Sequence, residues 1–275
     1  KIKIISSIFQ LNKNDQEKKL NKKINASQKL PEIVKAIEEI EYNNITTKTI
    51  NLLIKKFSEL NRYDLSKKCY EIAQASSDSY TYSDFINAAN DYNDFESAKK
   101  AFDDAINKGL VHTPTYANFI SAAGISAARN KNKDFKFAQD AFNRAVQKGY
   151  GQISTYISII TAAANNCKFD LAIKYFEEAE KKKFYHSKLY AAFISAASEN
   201  KNFELVKQAF YKSIDNKSFD ENIYNKFIRA CDYNDKNNLA NLFLDQKINT
   251  DYFLNSNFPK FNSFDKLVNS MLILI

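Results

Sequence analysis

The stretch Thr115-Tyr-Ala-Asn-Phe-Ile-Ser-Ala-Ala123 decides the fold, because close copies of it recur along the chain. The copies begin at Thr81, Thr155 and Leu189, and a weaker one begins at Ile223, so that successive starts are 34, 40, 34 and 34 residues apart. Within each copy the apolar residues recur at i, i+3, i+4 and i+7, the pattern of one buried face of an α-helix. A repeat of this length is typical of stacked helical units.

A second block follows each copy and predicts a partner helix. It begins with a phenylalanine and continues with a small residue, a large aromatic residue and a second small residue, as in Phe95, Ala98, Phe102 and Ala105. The small residues allow a close helix approach, and the large residue fills the space between neighbouring helix pairs. Since no single pair can bury its apolar faces alone, we expect an all-α, right-handed solenoid of about six helix-turn-helix repeats of about 34 residues, with non-repeat helices at both ends.

The ends of the predicted helices carry residues that are typical of helix caps. Thr81, Thr115 and Thr155 stand near the start of first helices, where a hydroxyl can accept a backbone N–H, and we expect them to be the N-caps. Gly109 and Gly149 follow second helices, where a residue in the left-handed conformation is favoured. These residues therefore predict where each helix of a unit begins and ends.

The repeat also defines the domain organisation. We expect an N-terminal helical and charged extension over 1–48, a repeat domain over 49–250 and a C-terminal capping segment over 251–275. Six extra residues lie between Ala123 and Phe135 and predict an extended first helix with a basic tip. Insertions in solenoids often fall on the binding face, although a tolerated surface insertion is the alternative. The residues of the predicted tip are Arg129, Lys131 and Lys133.

The composition excludes several classes of protein. The chain has 275 residues, a net charge of +8, 22 Phe, 16 Tyr and only 4 Gly. This aromatic content is too high for a disordered chain, and four glycines are too few for the turns of a nucleotide-binding α/β enzyme. The three widely spaced cysteines predict a reducing compartment such as the cytoplasm, or a host cytoplasm if the chain is a secreted effector. No apolar run is long enough to predict a membrane span.

The sequence offers no convincing catalytic or metal site. His112 and His186 occupy equivalent places two units apart, which is too far for the two rings to share a metal. Carboxylate pairs such as Asp103 and Asp104 are adjacent on a helix, so their side chains point in different directions. No cysteine has a histidine or aspartate at a spacing that indicates nucleophilic catalysis. We therefore predict no enzymatic activity, no metal and no small-molecule cofactor.

The repeated blocks resemble the pentatricopeptide repeat. The resemblance rests on the Thr-Tyr-x-x-Phe-Ile opening, the Ala-x3-Phe middle and the endings Lys108-Gly109 and Lys148-Gly149. The 34-residue period and the Ala-x3-Phe-x2-Ala block are also similar to the tetratricopeptide repeat. Both families are helix-pair solenoids. The first resemblance implies single-stranded RNA as the ligand, read at one base per unit, and the second implies peptides or proteins.

The first helices are expected to line the inner surface and to carry the ligand. Their outward positions are small and nearly neutral, and they become basic only near the C-terminal end of the repeat. Because nucleic-acid affinity comes largely from Lys and Arg contacts to phosphates, the leading interpretation is a protein or peptide partner. Single-stranded RNA is the alternative, favoured by the resemblance and the net charge. The predicted binding residues are Asp84, Asn87, Asn118, Ser121, Ser158, Thr161, Ser195, Lys226 and Arg229.

Overall fold

The structure, a computed structural model, describes residues 17–38, 46–130 and 135–236. These residues form thirteen α-helices and no strand, which confirms the predicted all-α class. The helices are α1 (17–26), α2 (Leu30–Glu38), α3 (Thr47–Glu59), α4 (Tyr63–Ala73), α5 (Ser79–Asp91), α6 (Phe95–Asn107), α7 (Thr113–Arg129), α8 (Phe135–Gln147), α9 (Ile153–Asn165), α10 (Phe169–Lys181), α11 (Ser187–Glu199), α12 (Phe203–Asp215) and α13 (Glu221–Tyr233).

From α3 onward the helices alternate between two layers. The odd-numbered helices, which we call the first helices, contact the neighbouring first helices along the chain. Each even-numbered helix, a second helix, packs between its own first helix and the next one. The described chain is therefore an α-solenoid of five helix pairs, α3 to α12, followed by α13. We call the side of the first-helix layer that faces away from the second helices the first-helix face. The sequence predicts the binding residues on this surface.

Stacked aromatic rings join each unit to the next. A ring on the second helix of one unit lies against a ring on the first helix of the following unit, and this confirms that the large residue fills the space between pairs. At the α8–α9 junction the buried Ile159 takes the place of the second ring. The four stacked pairs, with centroids 3.9 to 4.1 Å apart, are Tyr70–Phe85, Phe102–Phe119, Phe176–Phe193 and Phe210–Phe227.

The second helices α6, α8, α10 and α12 end in a common backbone motif. Gly109 (φ 67°) and Gly149 (φ 82°) have the left-handed conformation that the sequence predicts for them. At the end of α8 the N–H of Gly149 donates to the carbonyl of Val146 (3.2 Å), and the N–H of Tyr150 donates to the carbonyl of Ala145 (2.7 Å). This pair of bonds is the Schellman motif, which satisfies the last carbonyls of a helix.

The expectation that Thr81, Thr115 and Thr155 are N-caps is wrong. Their helices begin two residues earlier, so these threonines lie in the third helical position and the cap lies three residues before each of them. In α5 the carboxylate of Asp78 accepts the N–H of Thr81 (2.8 Å), and the Thr81 hydroxyl accepts the N–H of Asp78 (3.1 Å). The threonine therefore reaches back to the cap instead of forming it, as in a capping box.

Helix packing continues on the N-terminal side of the predicted boundary at residue 48. The hydroxyl of Thr49 on α3 donates to the Oδ1 of Asn21 on α1 (3.0 Å). The hydroxyl of Thr81 on α5 donates in the same way to the Oδ1 of Asn51 on α3 (2.7 Å). The helix α1 thus lies against α3 through the same kind of bond that joins α3 to α5. The end of the predicted repeat domain after residue 236 and the predicted capping segment 251–275 lie outside the described residues.

Candidate functional site

The predicted binding residues lie on the first-helix face. They occupy two lines along the helices, three and six residues after the third helical position, and every one of them is half-buried or exposed. The first line contains the predicted residues Asp84, Asn118, Ser158 and Lys226, with Ala192 in the equivalent place on α11, and the second line contains Asn87, Ser121, Thr161, Ser195 and Arg229. The spacing of the repeat therefore places these side chains on one continuous surface.

Part of this surface uses its polar groups to hold adjacent helices together. The amide of Asn118 on α7 donates to the carbonyl of Ser83 on α5 (3.0 Å) and to its Oγ (3.2 Å). The hydroxyl of Ser121 on α7 donates to the hydroxyl of Ser158 on α9 (3.1 Å). These groups are engaged within the protein, so this part of the face offers a ligand fewer donors than the sequence indicates.

Asp84 is an uncommon group on this face because it is a half-buried carboxyl. Burial raises the pKa of Asp84 to about 6, the charge of Asp78 also raises this pKa, and the charge of Lys55 on α3 lowers it. No hydrogen bond to its carboxylate is found in the described parts of the chain. The ionised form is therefore poorly stabilised in the folded protein.

The substitution Asp84→Asn is expected to stabilise the protein at pH 7. The folded pKa lies above the ordinary value of 3.8, so the carboxylate of the folded state costs stability above about pH 6, and this cost disappears below pH 3.8. Allowing for the partial exposure of the side chain, the gain at pH 7 is about 1–2 kcal/mol. Urea unfolding of both proteins at pH 7 and pH 4 measures it. An equal stability difference at both pH values would contradict this explanation.

A groove with polar and cationic walls opens between α9, α11 and α13. Its volume is about 350 Å³. Lys188 and Lys226 lie on its walls, and neither forms an ion pair within the described residues, although Glu199 also lines the groove. The other polar residues that line the groove have no hydrogen-bonding partner for their side chains among the residues described. They are Thr161, Asn165, Ser195 and Asn222.

A second groove, of about 470 Å³, lies at the C-terminal ends of α7, α9 and α11. The extra turn of α7 forms one wall, since this helix has 17 residues where the other first helices have 13. Arg129 is the last residue of α7 and lines the groove, so the predicted extension of the first helix is confirmed. Lys131 and Lys133 of the predicted tip lie outside the described residues. The two grooves share Ala164, Asn165 and Glu199 and therefore adjoin each other.

The groove residues that the sequence did not single out include Lys188, Asn165 and Asn222. Lys188 and Asn222 each precede the third helical position of their helix, one turn before the first predicted line. Asn165 lies one turn after the second predicted line. The same helical spacing would have found all three if it had been extended by one turn in each direction.

The histidines stand at helix boundaries, as predicted. The Nδ1 of His112 lies 2.7 Å from the hydroxyl of Thr115, and burial lowers the pKa of His112. The Nδ1 of His186 accepts the backbone N–H of Lys188 at 3.1 Å. Within the described ranges, no group of three or more His, Cys, Asp or Glu is placed to hold a metal ion. The ring of His186 therefore caps α11, and the ring of His112 contacts a hydroxyl in the first turn of α7.

The two cysteines inside the helices are not poised as nucleophiles. Burial raises the pKa of the Cys69 thiol to about 11 and that of the Cys231 thiol to about 12, so both remain protonated near neutral pH. Cys231 is fully buried, in the position that alanine holds in the other units. No helix in the described parts of the chain is long and apolar enough to cross a membrane.

Solved structures of pentatricopeptide repeat proteins share this fold. The structure of PPR10 bound to an 18-nucleotide psaJ RNA element is 14% identical in sequence, with a TM-score of 0.56 over 72% of this chain and 29% of PPR10. A cysteine-to-serine variant of PPR10 with the same RNA gives the same values. PPR10 from maize is 15% identical, with a TM-score of 0.53 over 82% of this chain and 32% of PPR10. No protein-family model and no curated protein sequence matches the chain.

These comparisons define the class of the protein. The chain spans about a third of the length of the PPR10 structures, and at this sequence identity the likeness concerns the fold alone. It is a helical-repeat protein with the pentatricopeptide-repeat solenoid fold, and the resemblance seen in the repeated blocks is confirmed at the level of structure. Stacked units of this type form one long surface along the array.

Proposed function

We propose that the chain is a non-enzymatic scaffold that binds single-stranded RNA along its first-helix face, with the groove between α9, α11 and α13 as the centre of the site. The observation that carries this proposal is the combination of two lysines without ion pairs and four unpartnered amide or hydroxyl side chains in one groove. Lysines would contact phosphates, and amides and hydroxyls would bond to base edges.

The fold comparison supports RNA over a protein partner. Two of the three PPR10 structures contain an 18-nucleotide RNA element. The expectation of a peptide partner rested on a neutral surface rich in amides. Asn118, Ser121 and Ser158 have bonds within the protein, and the open groove is instead bordered by Lys188 and Lys226. The part of the face that is available to a ligand is thus more cationic than the sequence suggested.

The proposal predicts RNA binding that weakens steeply with salt. We expect a fluorescein-labelled, mixed-sequence single-stranded RNA pool to bind at 50 mM salt and to lose roughly 50- to 300-fold in affinity at 200 mM salt, for four to six phosphate contacts. Fluorescence anisotropy measures both constants. The variant Lys188→Gln with Lys226→Gln should have a shallower dependence on salt, by about 1.4 in the slope of log affinity against log salt, since each phosphate contact contributes about 0.7.

A matched control removes two cations elsewhere. Lys68 on α4 and Lys136 on α8 are exposed lysines of second helices, away from the groove. The variant Lys68→Gln with Lys136→Gln changes the net charge by the same amount, so it should leave the slope close to that of the wild type. Absence of RNA binding at 50 mM salt would overturn the proposal. Equal losses in both double variants would show a diffuse effect of net charge and would also overturn it.

A further inference from the structure

Left-handed residues follow the caps of most helices in the described parts of the chain, and most of them are not glycine. The residue that follows the cap of a second helix is Gly109 after α6 and Gly149 after α8, and both are left-handed. After α10 the same position is Lys183, with φ 60°, and after α12 it is Lys217, with φ 55°. Side chains other than glycine adopt this conformation at a conformational cost. Lys183 therefore stands where glycine would suit the backbone better.

The geometry around Lys183 is otherwise that of the glycine units. Its N–H donates to the carbonyl of Glu180 (2.8 Å), and the N–H of Phe184 donates to the carbonyl of Ala179 (3.1 Å). These are the two bonds that Gly149 and Tyr150 make at the end of α8. The backbone of this turn is thus satisfied without any help from the lysine side chain, which is exposed.

One edge of the solenoid is formed by the ends of the second helices and the starts of the first helices that follow them. Several cations at this edge form no ion pair with the described residues. We call them the junction cations, since they lie where one unit passes into the next. The nearby carboxylate of Glu180 is already engaged by Lys212 (2.6 Å) and by the hydroxyl of Tyr190 (3.3 Å). The junction cations, all exposed and without an ion pair among the described residues, are Arg144, Lys148, Lys182, Lys183 and Lys188.

The cationic edge has limits on both sides. At the α6–α7 junction Asp104 pairs with Lys108 (3.1 Å), so the charge of that lysine is compensated. At the α12–α13 junction the chain carries Asp215 and Asp220 beside its lysines. Among the described residues, the cations of this edge that form no ion pair are therefore concentrated at the ends of α8 and α10 and the start of α11.

This segment adjoins the groove between α9, α11 and α13. Lys188 belongs to both, because it is the second residue of α11 and also lines the groove. Lys182 and Lys183 follow the last residue of α10 and belong to the turn that leads into α11. This turn and the groove are therefore joined through the N-terminal residues of α11, among them Lys188.

We infer that the junction cations are a phosphate-binding track for the strand of RNA whose bases enter the groove. This inference rests on the proposed function and adds to it the path of the ligand backbone, along cations of which only Lys188 also lines the groove. Cationic side chains fix the position of a nucleic acid through its phosphates without reading its sequence.

The variant Lys182→Gln with Lys183→Gly tests the track. Fluorescence anisotropy with the mixed-sequence RNA pool between 50 and 200 mM salt should give a slope of log affinity against log salt that is shallower than the wild-type slope by about 1.4, for two lost phosphate contacts. The melting temperature should be unchanged or higher, since glycine suits the left-handed position. Lys68→Gln with Lys136→Gln is again the control and should keep the wild-type slope.

The outcomes separate this inference from the proposed function. Wild-type protein that binds RNA, together with an unchanged slope in the Lys182→Gln, Lys183→Gly variant, would overturn the track alone. Wild-type protein that fails to bind RNA at 50 mM salt would overturn both. A reduced slope in a variant that melts no lower than the wild type would support the track, because loss of folding could not account for the loss of binding.

Discussion

Replacing Gly124 by alanine is expected to lower the free energy of unfolding by about 3 kcal/mol, the upper part of the range for overpacked cores. Gly124 lies in α7 against α9, and a Cβ added there would be 2.4 Å from the Cβ and 3.0 Å from the Cα of Ala162. Alanine is the better helix former by about 1 kcal/mol, so propensity alone predicts a stabilised protein. Urea unfolding followed by circular dichroism decides between the two effects.

Hydrogen bonds from one side chain also hold α7 and α9 close together. The amide of Asn166 donates to the carbonyl of Gly124 (2.9 Å) and to the carbonyl of Ala162 (2.7 Å), which ties the two helices together at this point. The helices therefore cannot move apart to accept a methyl group without weakening a buried bond.

The reciprocal change provides the control for this prediction. In the variant Gly124→Ala with Ala162→Gly, the methyl group moves from one helix to the other and the main clash disappears. We expect this double variant to recover most of the lost stability, with a coupling energy of about 2 kcal/mol between the two positions. A double variant as unstable as the sum of its single changes would show that contact between these two residues is not the cause.

Much of the fold follows from the sequence because each unit repeats a few steric requirements. The stacked ring of Phe102, the buried small residue Ala98 and the left-handed Gly109 each have one function, and each recurs at a fixed spacing. Threonine at the start of a helix was less informative, since a hydroxyl can form the cap or reach back to it. The hydroxyl of Thr81 reaches back to the cap, and only the position of Asp78 distinguishes the two arrangements.

The candidate site was less predictable because its chemistry depends on which polar groups remain available. Ser121 and Thr161 occupy equivalent positions and both carry a hydroxyl, yet Ser121 donates to Ser158 while Thr161 has no such partner in the described residues. That difference arises from local distances between helices, which a repeat pattern does not encode. The charge at Lys183 does not follow from the repeat pattern either, because the equivalent residue after α6 and after α8 is glycine.

Replacing Phe176 by alanine is expected to cost about 3–5 kcal/mol, the usual loss for a fully buried phenylalanine. The ring lies on α10, is 3% exposed and stacks on Phe193 of α11 with centroids 4.0 Å apart. It also meets the edge of Tyr190, a fully buried ring of α11, at 5.6 Å. The side chain therefore supplies a large part of the contact between two successive units.

The loss should be confined to one part of the molecule, because repeat units contact only their neighbours. In Phe176→Ala, hydrogen exchange of the amides in α11 to α13 should accelerate far more than exchange in α3 to α7. Phe137→Ala is the matched control: this second-helix phenylalanine is 37% exposed, so its removal should cost about 1–2 kcal/mol. Uniform acceleration along the chain would mean that the solenoid unfolds as one unit. A groove built from α9, α11 and α13 would then depend on the whole array and not on this one junction.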